Sequence, residues 1–217
     1  RPKDALAWPV LAVFDFASNL FCFLVGMFIC MTYLAITFHP PWRLTLLQLA
    51  RLCLPIPFGG HFLSGLIRFT APYSSSVSAR ILSLSEDDGA LSMSCQLMQR
   101  PWLLNPFNCV HAIALANLGE LTGGTAIFAS MEQWNADARR DKKPLRIRGI
   151  VGSINSRYAA KARGMLRATA KLEVLPETVG KYETPVTCSI TDAAGVEVAT
   201  VVVNWTLEVV QLRDKKE

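Results

Sequence analysis

The chain has 217 residues, a formal net charge of +5 at pH 7 and 51% hydrophobic residues, which leaves room for one membrane anchor and one domain of ordinary size. The positive charge is spread along the chain, so the sequence excludes a dense nucleic-acid-binding tail. Its six cysteines form no CxxC motif or Cys/His cluster, so the sequence predicts reduced, buried thiols and no metal site. No P-loop or dinucleotide-binding fingerprint is present, so no cofactor is predicted.

The first predicted element is an uncharged, largely apolar run of 23 residues from Phe16 to Phe38. A helix of this length, at ~1.5 Å per residue, spans the ~30 Å hydrocarbon core of a bilayer. Trp8 and Trp42 flank the run, as interfacial tryptophans often do. The sequence therefore predicts a single-pass membrane protein, with an anchor over residues 1–42 and a globular domain over residues 43–217.

Small and polar residues form a stripe on one side of this predicted helix. Asn19, Cys22, Gly26 and Cys30 follow one another at intervals of three, four and four residues, and Asp15 precedes them by four. Such a stripe allows close contact with another transmembrane helix. The alternative interpretation is a set of small residues that lipid tolerates, with Asp15 at the headgroup boundary.

The chain begins at Arg1 instead of Met. This is the expected start of a mature form from which a targeting segment has been removed, although numbering that omits such a segment would look the same. A mitochondrial presequence is one such segment, so we expect residence in the mitochondrial inner membrane.

The domain begins with a predicted helix over residues 43–54, followed by a region that is mainly β up to residue 98. A nearly uncharged helix, predicted to be buried, then spans Val110 to Ser130, and a polar connector follows it. The predicted strands are residues 66–69, 76–84 and 90–97 before this helix, and 146–155, 157–174, 183–191 and 195–210 after it. One buried helix between groups of strands is an α+β arrangement.

Polar residues with chemical potential cluster around the buried helix. Asn105 and His111 precede it, and Glu120 is its only charged residue. A carboxylate in an apolar helix is costly unless it is partnered or functional, and burial would raise its pKa. The alternative is that both residues are structural. His111 would then only cap the helix, and the buried Glu120 carboxylate would be hydrogen-bonded within the fold.

This spacing resembles that of the hotdog-fold acyl-CoA thioesterases, in particular their PaaI-like branch. Asn105 lies six residues before His111, Glu120 lies nine after it, and the segment from Tyr158 to Gly164 is also similar to that family. The resemblance implies a hotdog fold, in which an antiparallel sheet wraps around one central helix. It also implies a dimer, formed with a second copy or with a related hotdog chain, whose active sites lie between the subunits.

The resemblance implies roles for the matching residues. Glu120 would be the general base or nucleophile towards a thioester. The backbone N–H groups of Ala112 and Ile113 would polarise the carbonyl oxygen, while Asn105 and His111 would shape the adjacent loop.

Basic residues follow further along the chain. The resemblance assigns Lys161, Arg163 and Arg167 to the phosphates of coenzyme A, and a solvated sheet face is the alternative.

The sequence also departs from the pattern of the family it resembles. His111 is followed by Ala112 and Ile113 where the family usually has two glycines, and Asn108 and Gly124 stand where it usually has Gly and Thr or Ser. Two functions therefore stay open. The first is a membrane-anchored thioesterase acting on acyl-CoA or acyl-carrier thioesters. The second is a non-catalytic accessory or assembly subunit of a larger membrane complex.

Overall fold

A computed structural model describes residues 7–37, 44–87 and 90–212 of the chain. The helices in this part are α1 (Ala7–Ile36), α2 (Leu46–Cys53), α3 (Gly59–Thr70) and α4 (Ala112–Arg140), with short 3-10 turns at Pro72–Val77 and Pro101–Leu103. The strands are β1 (Arg80–Asp87), β2 (Ala90–Met98), β3 (Leu145–Tyr158), β4 (Met165–Leu172), β5 (Gly180–Asp192) and β6 (Glu197–Gln211).

All six strands form one antiparallel sheet in the order β1-β2-β4-β5-β6-β3. The long helix α4 packs on one face of this sheet and contacts every strand from β2 to β6. The predicted architecture, a sheet around one central helix, is therefore confirmed. The strand β3 lies at one edge of the sheet, next to β6.

Strand β4 shows why the sequence folds this way. Its residues alternate between buried and outward-facing, with Leu166, Ala168 and Ala170 on the buried face and Arg167 on the exposed one. This period of two is typical of a sheet that has one face on a core and the other in solvent. The small alanines of the buried face also leave room for α4.

The segment over residues 66–69 was predicted as a strand, and this prediction is wrong. These residues form the second half of α3, whose buried positions Phe62 and Leu63 lie one turn before Leu66 and Ile67. Four residues are too few to reveal a helical period when they are considered without the preceding turn.

The central helix is longer than predicted, because residues expected to form a polar connector continue it to Arg140. Asn135 explains the extension. Its side-chain amide donates to the carbonyl of Ile147 at 2.9 Å and accepts from the N–H of the same residue at 2.9 Å. These two bonds join the last turns of α4 to β3, and no pattern local to the helix indicates them.

Two of the described helices are long and apolar enough to cross a membrane, namely α1 over Pro9–Ile36 and the helix α4. The most apolar window of α4 is 67% buried, as is normal for a core helix, whereas that of α1 is 17% buried. The predicted boundary between anchor and domain, at residues 42 and 43, lies outside the described residues, as do Trp42 and the last residue of the apolar run.

Two members of the predicted stripe on α1 contact the protein's own domain. A Cβ atom on Gly26 would lie 2.6 Å from the carbonyl oxygen of Phe58, so the two backbones touch there. Cys30 is fully buried, and its thiol lies beside that of Cys53, which is fully buried as well. These two positions therefore already have neighbours within the chain. A partner transmembrane helix stays a prediction.

Candidate active site

Glu120 lies on α4 at the edge of a cavity of about 470 Å³. This volume falls within the range of small-molecule sites in proteins. The lining comes from α2, α3, α4 and β6, from Leu44 before α2 and from Ala71 and Ser74 after α3, and it is mostly apolar. Its members are Leu44, Leu46, Leu49, Leu66, Ile67, Thr70, Ala71, Ser74, Glu120, Leu121, Gly124, Thr125, Phe128, Glu132 and Trp205.

The carboxylate of Glu120 has no hydrogen bond or ion pair within the described part of the chain. Burial alone raises the pKa of Glu120 above its ordinary value, and no cation or donor opposes this effect. A carboxyl group in an apolar cavity with a raised pKa is a common arrangement for a general base or acid. The sequence-based expectation of a raised pKa at this position agrees with the structure.

Gly124, one turn after Glu120, leaves space for that carboxylate. A Cβ atom at this position would lie 3.0 Å from Oε1 of Glu120 and 3.6 Å from Cζ2 of Trp205. The Thr or Ser that the resembled family usually carries here would therefore press on the carboxylate in its present position. The departure at Gly124 is consistent with the placement of Glu120.

A second carboxylate on the same helix has a structural task. Oε2 of Glu132 accepts a hydrogen bond from the backbone N–H of Leu46 at 2.7 Å, at the start of α2. Thr45 caps the same helix end, and its hydroxyl lies 2.6 Å from Oε1 of Gln133. These contacts hold α2 over the cavity. Sequence reasoning missed them, because they join residues more than 80 positions apart.

Asn105 lies in the loop before α4 and is hydrogen-bonded within it. Its side-chain oxygen accepts from the N–H groups of Phe107 at 2.9 Å and Cys109 at 3.3 Å. Within this loop Asn108 has φ = 57°, in the left-handed region. Asn adopts this region more readily than other residues with side chains, so Asn can replace the Gly usual in the resembled family.

His111 is the N-cap residue of α4. Its Nδ1 accepts a hydrogen bond from the N–H of Ile113 at 3.1 Å, so this predicted oxyanion donor is engaged by the cap in this structure. Ala112, the other predicted donor, is the first residue of the helix, and its carbonyl accepts from the hydroxyl of Tyr158 at 3.0 Å. The start of α4 is therefore held by side chains on both sides.

We expect His111→Ala to lower the stability of the protein by about 1 kcal/mol, because it removes the N-cap of the central helix. For a chain of this size, that loss corresponds to about 2–4 °C in the melting temperature. His111→Asn is the matched control, since Asn is among the best N-cap residues, and it should melt close to wild type. Equal melting temperatures for the Ala variant and wild type would show that the cap contributes nothing.

His111 and Glu120 do not meet within one chain. Nine residues of helix separate them, which corresponds to ~180° of rotation and ~13.5 Å of rise. His111 is exposed at the helix start, whereas Glu120 is partly buried at the cavity.

The structure divides the three predicted basic residues into two groups. The carbonyl of Ala162 accepts from the N–H of Val110 at 2.9 Å, which places the neighbouring Lys161 and Arg163 beside the start of α4. Nε of Arg163 also donates to the carbonyl of Asn108 at 3.2 Å. Arg167 lies elsewhere, on the exposed face of β4. Among the described residues, no three His, Cys, Asp or Glu side chains are grouped so as to bind a metal ion.

The family of this chain follows from its sequence over α3 to β6. Residues 59–207 match the family described as "Domain of unknown function (DUF4442)". The chain belongs to the DUF4442 family. The match includes α3, the sheet and the central helix with Glu120, and it leaves α1 and α2 outside. No curated protein matches this DUF4442 chain.

Two solved structures place the DUF4442 domain among known folds. The structural-genomics protein APC5556 shares 25% identity with a TM-score of 0.56, over 76% of this chain and 98% of its own. A Pseudomonas aeruginosa protein of unknown function, PA5026, named a probable thioesterase, shares 20% identity with a TM-score of 0.55, over 68% and 93% of the two chains. These similarities confirm the hotdog fold and the predicted resemblance at the level of fold.

Proposed function

We propose that this DUF4442 protein is a membrane-associated thioesterase that binds the acyl chain of a thioester in the cavity at Glu120 and hydrolyses the thioester bond. The observation that carries the proposal is the Glu120 carboxyl group, without a partner and with a raised pKa, at the edge of an apolar cavity. The name of the Pseudomonas aeruginosa neighbour agrees with this chemistry.

The chemistry requires one proton acceptor and one water molecule. Glu120 accepts a proton from water as the water oxygen bonds to the thioester carbonyl carbon. The carbon–sulfur bond then breaks, and the leaving thiolate takes the proton from Glu120. The products are a carboxylic acid and a free thiol. Lys161 and Arg163, beside the positive end of the α4 dipole, would contact the phosphates of a coenzyme A carrier.

A second subunit would complete the site, because the start of α4 and Glu120 lie on opposite sides of one helix. The edge strand β3 supports this dimer. Within the described chain its outer edge has no neighbouring strand, and Ile150 and Ile154 are 70% and 45% exposed. A long edge strand with exposed apolar residues is a template for pairing with another chain. We propose a second copy or a related hotdog chain as this partner.

The test is hydrolysis of acyl-CoA by the full chain in mild detergent, followed through release of free thiol. Because each methylene buried in an apolar site contributes about 0.8 kcal/mol, we expect kcat/KM to rise steeply with acyl length until the cavity is full. Phe128→Asp places a charge in the cavity lining and should remove this dependence on length. No thiol release above the rate in buffer, from short or long substrates, would refute hydrolysis.

We expect hydrolysis to increase with pH through the raised pKa of Glu120. A general base works only as the carboxylate, so the rate falls when the pH drops through that pKa. Burial raises the pKa of Glu120 above 4.5, so the inflection of kcat/KM should lie above that value. A profile of kcat/KM from about pH 4 to about pH 9 locates this inflection. A profile that is flat over this range would exclude Glu120 as the base.

One observation favours a second function, in which the domain no longer catalyses. The N–H of Ile113, a donor that the resemblance assigns to the oxyanion, is engaged by His111, and the Ile113 side chain is 59% exposed beside it. The protein would then be an accessory or assembly subunit of a membrane complex, with the mitochondrial inner membrane as the expected location. Purification from the native source in mild detergent separates the two functions. A dimer of about 48 kDa, twice the 23.9 kDa chain, supports the enzyme, and a far larger stable assembly supports the subunit.

A further inference from the structure

The helix α1 contacts the domain at several levels along its length. Near its start, Oδ2 of Asp15 lies 2.8 Å from Nε of Arg100, and both side chains are largely shielded from solvent. Near its end, Cys30 is buried against Cys53 of α2. Fifteen residues separate these two levels, so α1 follows the domain over ~22 Å.

Between these levels, α1 and α3 fit closely. The rings of Phe23 and Phe62 stack with their centroids 6.4 Å apart. A Cβ atom on Gly65 would lie 2.1 Å from Cδ2 of Phe23, so Gly65 forms the slot for that ring. With the Gly26 contact to Phe58, two glycines on opposite helices allow this approach. The packing is specific and extends along the helix.

The rest of the α1 surface, away from the contacts with the domain, carries large apolar side chains and no charge. These residues are exposed in the structure: Val10, Leu11, Val13, Phe14, Phe16, Leu20, Phe21, Leu24, Met27, Phe28, Met31, Tyr33 and Ile36. A continuous apolar face of this extent is unusual on a protein surface in water and marks an interaction site. Over residues 9–36 its only exposed polar groups are hydroxyls, such as those of Ser18 and Thr32, so hydrocarbon is a matching environment.

We propose that α1 lies in the plane of one lipid leaflet, docked on its own domain, and does not cross the bilayer. If α1 crossed while docked, the start of α3 that packs against Gly26 would enter the hydrocarbon core, together with His61 and the guanidinium of Arg80, whose Nη1 lies 3.2 Å from Nε2 of His61. Ionised groups there are costly, and the sheet has polar exposed positions throughout. An in-plane helix with its apolar face in the lipid avoids this cost. The occupant of the exposed face is therefore the acyl layer of one leaflet.

This inference rests on the membrane association in the proposed function, so the experiment separates the two. The full chain is added to sealed vesicles of phosphatidylcholine with 20% anionic lipid, and its association is measured by flotation. Variants with a cysteine at either end of α1, Ala7→Cys and Thr37→Cys, are then treated with a membrane-impermeant maleimide. Mass spectrometry of the peptides identifies the labelled cysteine. Val196→Cys, in the exposed β5–β6 turn, reports the side on which the domain lies.

We expect flotation, and labelling of both helix ends and of residue 196 without opening the vesicles. Flotation with one helix end protected until detergent is added would overturn the in-plane orientation and leave membrane association standing. Absence of flotation would refute membrane association and this inference with it.

The role of docking is tested with Gly65→Leu, which fills the slot of Phe23. We expect the freed α1 to insert across the bilayer, so that one helix end becomes protected. Gly152→Leu, on the exposed strand β3 where an added Cβ meets only ordinary contacts, should label like wild type. If Gly65→Leu shows no cooperative unfolding, the variant is misfolded. Gly26→Leu then disrupts the same contact between α1 and α3 from the α1 side. Labelling of both helix ends in a folded Gly65→Leu or Gly26→Leu protein would show that docking on the domain is not what keeps α1 from crossing the bilayer.

Discussion

Glu120→Gln is expected to reduce thioester hydrolysis by about 10²- to 10⁴-fold, the range over which a positioned general base contributes. Gln keeps the size and shape of the side chain and cannot accept a proton. The cavity is otherwise unchanged, so binding of an acyl chain should persist. The comparison is therefore kcat against KM for a single acyl-CoA, with the loss expected in kcat.

The same substitution is expected not to lower stability at neutral pH. Burial raises the folded-state pKa of Glu120 above that of the unfolded chain, so the folded protein binds the proton more tightly. The resulting stabilisation is complete below the unfolded pKa and is lost as the pH rises through the folded pKa. At neutral pH wild type carries the cost of a buried carboxylate, which Gln removes. Glu120→Gln should therefore melt at or above the wild-type temperature at pH 7 and lose this advantage in acid.

Glu132→Gln is the matched control on the same helix. Its carboxylate already accepts from the N–H of Leu46, and the amide oxygen of Gln can accept the same bond. We expect this variant to keep its hydrolytic rate. Equal rates for wild type and Glu120→Gln would remove Glu120 from the reaction. Equal losses in the Glu120 and Glu132 variants would indicate a general effect of charge at the cavity.

The fold was predictable from the sequence because its signals are local. The alternation along β4 and the long apolar stretch of α4 each report one element and its buried face. The spacing of Asn105, His111 and Glu120 added the family resemblance. In the structure, Asn105 and His111 bond backbone N–H groups two residues further along the chain, in the loop and at the start of the helix. Sequence spacing can reveal contacts of this local kind.

The walls of the cavity were not predictable in the same way. They come from α2 and α3, and α3 had been predicted as a strand in part. The contact that fixes α2, between Glu132 and Leu46, joins residues 86 positions apart. The position of α1 was not predictable for the same reason. Gly65 and Phe23 belong to different helices and contact each other only in the tertiary structure. Periodicity identifies the face that a helix buries, and tertiary packing decides what covers it.

Gly119→Ala is expected to destabilise the protein relative to Gly123→Ala by about 1–3 kcal/mol, the usual cost of an overpacked core. Both substitutions lie inside α4, so both gain the same ~1 kcal/mol of helix propensity over Gly. They differ in their surroundings. A Cβ atom at Gly119 would lie 2.4 Å from Cβ of Val201 on β6, whereas one at Gly123 would lie 3.2 Å from Cγ1 of Val186. The first contact cannot be relieved by rotating a side chain, so α4 must move away from β6.

Urea unfolding of the two variants measures this difference, and thiol release measures its consequence at the site. Glu120 follows Gly119 directly, and Trp205 lies on the same strand as Val201, so a shift between α4 and β6 moves the carboxylate relative to its cavity. We expect Gly119→Ala to lose hydrolysis as well as stability, while Gly123→Ala keeps both. A Gly119→Ala protein as stable and as active as the Gly123 variant would show that α4 and β6 separate without cost. The close approach at Gly119 would then have no part in placing the carboxylate.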